Sequence, residues 1–61
     1  MNEKLMQWID TKVQVVTKGY HLGYAIHKGY LLHVGDDFIE LDENGKSILI
    51  AIDHISTITK K

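Results

Sequence analysis

His21, His27 and His33 recur every six residues, so on one unbroken strand their rings would share a face, as a multi-histidine metal site requires. No cysteine joins them, and Gly23 and Gly29 fall between them where a strand would bend. The pattern therefore predicts surface or edge histidines and no metal site. Asp53-His54 sets an acid beside a base, but neighbours on a strand point to opposite faces, so the chain reads as non-enzymatic, with no catalytic residue and no cofactor. Asp36, Asp37, Glu40, Asp42 and Glu43 lack the alternating ligands and terminal glutamate of a calcium loop; turn chemistry accounts for them more simply. The glycines match neither a phosphate loop nor a dinucleotide fingerprint. What remains is aromatic. Tyr20, Tyr24 and Tyr30, with Lys18 and Lys28, could form a stacking platform for unpaired bases, and the same tyrosines also suit half-buried strands.

The elements that would position these residues follow from hydrophobic spacing. Asn2 is placed to cap a helix, Glu3 suits its first turn, and Leu5, Trp8 and Ile9 follow at helical spacing. The spacing predicts a helix over about 2–10, too short to stand alone, with Leu5, Trp8 and Ile9 docked on the rest of the molecule. From Lys12 the period becomes two: Val13 and Val15 share one side and Gln14 takes the other, through Thr17. Between Tyr20 and Val34 the glycines allow either a hairpin or one strongly bent long strand. Gly35-Asp36-Asp37 reads as a tight turn, and Ile39 and Leu41 then share a face. Asp42-Glu43-Asn44-Gly45-Lys46 is a hairpin loop with Asn-Gly at its centre. Ser47 to Ile52 is apolar on both faces, with Ile48, Ile50 and Ile52 on one and Leu49 and Ala51 on the other. Such a strand needs two surfaces to pack against. Asp53-His54 interrupts the run, and Ile55 to Thr59 forms a last strand before Lys60-Lys61.

Sixty-one residues accommodate one domain, read as residues 1–61. A domain of that size withdraws only about 60% of its unfolded surface from water. Small domains gain stability from disulfides, metals or partner subunits; with no cysteine, self-association becomes the leading source. The absent cysteines fit a reducing cytoplasm, and no secretory signal or membrane span is visible. Seven basic residues, all lysine, face eight acids for a net charge of −1. Arginine is the preferred residue for bidentate phosphate and base-edge contacts. Its absence, with the near-neutral balance, favours a structural or protein-interaction role over a dedicated nucleic-acid binder.

Gly29-x-Leu31-x-x-Val34, then Asp36-Asp37 and Ile39-x-Leu41, resembles the first motif of the Sm-like small β-barrel superfamily, the group of LSm and Hfq type. Ile52-Asp53-His54-Ile55-Ser56-Thr57-Ile58 is similar to the second motif, with Ile55-Ser56-Thr57 matching the end of its bacterial Hfq form. The string Val34 to Leu41 also resembles uncharacterised short barrel proteins of Gram-positive bacteria, some associated with spores. The resemblance implies an all-β fold: a small, five-stranded, strongly bent barrel, Sm-like or SH3-like, spanning about 12–59 behind the N-terminal helix. It further implies a homo-oligomer that binds single-stranded RNA, for which Tyr20, Tyr24, Lys28, Tyr30 and His54 are the candidate contacts in this chain. Edge pairing would place Ile48, Leu49, Ile50, Ala51, Ile52 and Ile58 at the subunit interface.

Overall fold

The computed structural model describes residues 2–19 and 24–61, with the side chains of Asn2 and Tyr24 excepted. Their order is α1 (Asn2–Met6), β1 (Lys12–Lys18), β2 (Tyr24–Val34), β3 (Phe38–Glu43), β4 (Lys46–Ala51), a single 3-10 turn (Ile52–His54) and β5 (Ile55–Lys60). The five strands form one antiparallel sheet in the order β4-β3-β2-β1-β5. The sheet is not closed: β4 and β5 are its two edges. No helix among the described residues is long and apolar enough to cross a membrane.

The helix is shorter than its apolar spacing predicts. It ends at Met6, and the chain continues in tight turns: the amides of Gln7, Trp8 and Ile9 donate to the carbonyls of Lys4, Leu5 and Met6. Bonds to the third residue back keep Leu5 and Trp8 on one side, so the predicted docking survives without the predicted helix. Thr11 ends the segment, its hydroxyl donating to the Trp8 carbonyl at 2.6 Å, and Asp10 takes a left-handed φ of 72°. Leu5 is buried, and Trp8 and Ile9 pack on the core. The Asp10 amide donates to the Leu31 carbonyl at 2.7 Å, and the Leu31 amide donates to the Thr11 carbonyl at 3.0 Å. Those two bonds moor the N-terminal segment on β2.

Of the two forms open for Tyr20 to Val34, the described part takes the long strand. β2 runs eleven residues, pairing with β1 from Tyr24 to Tyr30 and with β3 from Tyr30 to Val34. Gly29 is where β2 passes close against the end of β3. It is buried opposite Val13, and a Cβ there would lie 2.9 Å from the Asp42 carbonyl carbon and 3.2 Å from the Glu43 Cα. Asn44 and Gly45 turn the β3–β4 hairpin with φ of 56° and 84°, and Asp42 Oδ1 accepts from the Gly45 amide at 3.0 Å. Both central residues thus adopt the positive φ that favours Asn-Gly in two-residue hairpins.

Alternation sorts the side chains. Val13, Val15, Leu31, Ile39, Leu41 and Ile50 form one buried cluster drawn from four strands, ringed by Trp8, Ile9, Val34, Ile48, Ile52, Ile55 and Ile58. The predicted inward faces of β1 and β3 are thereby found. In β4 the two faces part company: Ile50 is in the core and Ile48 beside it, whereas Leu49 and Ala51 are exposed. Ile52 falls in the 3-10 turn rather than in the strand.

Candidate functional site

Lys12, Lys28 and Tyr30 come together on the outer face of the sheet. Lys12 and Tyr30 are register partners across β1 and β2, and Ile26 and Lys28 lie on the same face of β2 at two-residue steps from Tyr30. These residues line an open concavity of about 500 Å³ beside Gly29, bounded on the far side by Asp42, Glu43 and the Asn44-Gly45 turn. That volume falls in the range small ligands occupy. Tyr30 keeps half its surface exposed, at 51%, so its side chain is accessible to a ligand. Two lysines beside an exposed aromatic are the elements of a base-and-phosphate contact. Asp42 also faces the concavity, but its carboxylate is engaged by the Gly45 amide.

The anticipated RNA contacts are brought together only in part. Lys28 and Tyr30 share the concavity; Tyr20 and the Tyr24 side chain lie outside the described residues. His54 stands elsewhere, in the 3-10 turn, where it lines a groove with His27, Thr17 and Lys18 along β4. Lys12 was not anticipated. Its signal is the β1–β2 pairing, which sets it opposite Tyr30, and that register depends on a turn whose length the sequence leaves open.

The histidines separate for a reason other than the glycines. His27 lies opposite Val15 on the inner side, whereas a register shift between Leu31 and His33 sets His33 opposite Glu40 on the outer side, its ring 6.1 Å from that of Phe38. One extra residue in a strand reverses the facing of everything beyond it. His21 lies outside the described residues, and among those described no three metal-binding side chains converge. His27 Nδ1 instead lies 3.0 Å from Glu43 Oε1, both side chains about one-third exposed, tying β2 to the end of β3. A pair so open to water contributes little. Glu43→Gln is therefore expected to lower unfolding free energy by no more than about 1 kcal/mol, read from urea denaturation.

An apolar groove of about 380 Å³ opens between α1 and β5, lined by Leu5, Trp8, Ile52, Ile55 and Ile58, with Lys4 as its charged member. It is continuous with residues that pack on the core. Of the residues assigned to a subunit interface, Ile50 is in the core of this chain and Ile48, Ile52 and Ile58 pack against it; Leu49 and Ala51 alone are exposed. No family model, curated protein or solved structure matches the chain.

Proposed function

We propose that the chain is a non-enzymatic binding module of the Sm-like small-barrel kind, cytoplasmic and homo-oligomeric, that holds single-stranded RNA. The observation that carries the RNA reading is the half-exposed Tyr30 ring flanked by Lys12 and Lys28 in one concavity. The barrel reading is supported by a short helix followed by five antiparallel strands, the second packed tightly on the third at Gly29, around one buried cluster. Self-association is supported by the two sheet edges, whose outward backbone groups a neighbouring strand would pair.

The test is fluorescence anisotropy with a labelled oligo-U at about 50 mM and about 200 mM salt. Tyr30→Ala is expected to weaken binding by about 1–3 kcal/mol, the value of one stacked base. Lys12→Ala and Lys28→Ala are each expected to reduce the slope of log affinity against log salt by about 0.7. Absence of binding at the lower salt would sink the RNA reading.

A second reading, a structural or protein-interaction module on the same fold, is favoured by Asp42 and Glu43 in the wall of that concavity and by the exposed Leu49 and Phe38. An assembly that forms normally, binds no RNA and is unaffected by Tyr30→Ala would decide for it.

A further inference from the structure

We infer that two copies of this chain join through β4 in a two-fold antiparallel pair, making one continuous sheet of both molecules. This rests on the self-association reading above and specifies its geometry.

The two sheet edges differ in kind. β5 turns Thr57 and Thr59 to the outer face and ends in Lys60, so its outward side is polar and lysine-flanked, a usual protection against edge pairing. β4 also starts at a lysine, Lys46, followed by the outward Ser47, but the rest of its length is unprotected. Between Lys46 and Asp53 it carries no charge, no proline and no glycine, and its pairing with β3 shows no bulge. Leu49 is the most exposed large hydrophobic residue among those described, at 65%. Glu40, its cross-strand neighbour, does not shield it, because the Glu40 carboxylate accepts a hydrogen bond from the Ser47 hydroxyl. Phe38 and Ala51 continue the exposed apolar surface one register step away.

Symmetry then restricts the register, and the exposure of Leu49 selects it as the centre. A two-fold axis perpendicular to the sheet keeps inner residues inner, so one residue must lie opposite its own copy. With Leu49 at the axis, Leu49 meets Leu49, Ser47 meets Ala51 of the second copy, and Ile48 meets its Ile50, all on matching faces. The strand ends agree as well. Lys46 falls opposite the second copy's Ile52 and next to its Asp53, and among the described residues neither Lys46 nor Asp53 is in an ion pair. Pairing β4 with a neighbour's β5 would instead set Leu49 against threonines and leave a polar edge to continue the chain of contacts.

The chain has no cysteine, so single-cysteine variants report the contact directly. Leu49→Cys, oxidised with copper phenanthroline, is expected to crosslink to itself, and Thr57→Cys is not. Light scattering on the unmodified chain should give twice its 7.0 kDa mass, and Leu49→Lys should halve that value while keeping the circular dichroism spectrum of a folded chain, with a melt lowered by the loss of association. A larger assembly in which Leu49→Cys crosslinks only when mixed with Thr57→Cys would overturn the β4 pair yet keep self-association. A dimer that fails to crosslink at position 49 would overturn it too, and a single-chain mass would overturn both readings.

Discussion

Gly29→Ala is expected to destabilise the chain by about 3 kcal/mol or more. The added methyl group would press on the Asp42 carbonyl and the Glu43 Cα. Both are backbone atoms, so no side-chain rotation relieves the contact. β3 would have to move away from β2, which opens the pairing of Leu31 with Leu41, two residues with no exposed surface. Overpacking a well-filled site costs about 1–3 kcal/mol, and more where the backbone must shift. Domains in general hold only about 5–15 kcal/mol, and one this small belongs at the low end. Gly45→Ala is the control: it has open space around it but a φ of 84°, and should lose only about 1–2 kcal/mol. Urea midpoints read by circular dichroism compare the two; equal midpoints for Gly29→Ala and the unmodified chain would mean that β3 does not approach β2 so closely there.

Ile50→Lys should abolish folding, whereas Leu49→Lys, one residue away, should leave it intact. Ile50 is opposite Ile39 inside the core cluster. Lysine there loses the burial of a large aliphatic group, worth about 2–5 kcal/mol, and brings an ammonium that no buried acid could pair with. Leu49 points away from the core cluster, so the fold of the single chain does not rest on it. From the sequence, Ile50→Lys is expected either to dissociate an oligomer or to unfold the chain. Its place in the core decides for unfolding, whatever the assembly does. Amide dispersion in proton–nitrogen spectra distinguishes the variants, and a folded Ile50→Lys beside an unfolded Leu49→Lys would show the register to be off by one.

The alternation of Val13 with Val15 and of Ile39 with Leu41, and the Asn44-Gly45 turn, were legible because each depends on a few adjacent residues. The helix was overextended because tight turns and an α-helix share the three-residue spacing of Leu5 and Trp8. The register shift before His33 was hidden: nothing in Leu31-Leu32-His33 announces an extra residue, and its cause is the pairing with β3. The site was half legible for the same reason. Lys28 and Tyr30 sit two apart in sequence, whereas Lys12 reaches them only through a long-range pairing. The double-sided apolar character of residues 47–52 was visible, but the sequence did not reveal that one chain satisfies Ile50 unaided and leaves Leu49 outside.

β1 lies between β2 and β5, and the Lys61 amide donates to the Lys12 carbonyl at 2.9 Å. The sheet therefore becomes whole only when segments nearly fifty positions apart meet. Such closures are slow, because chain entropy is lost before any contact offsets it. During synthesis β1 through β4 emerge first, and β1 must wait with one side bare until β5 leaves the ribosome. In that interval the backbone amides and carbonyls along one edge of β1 have no partner strand.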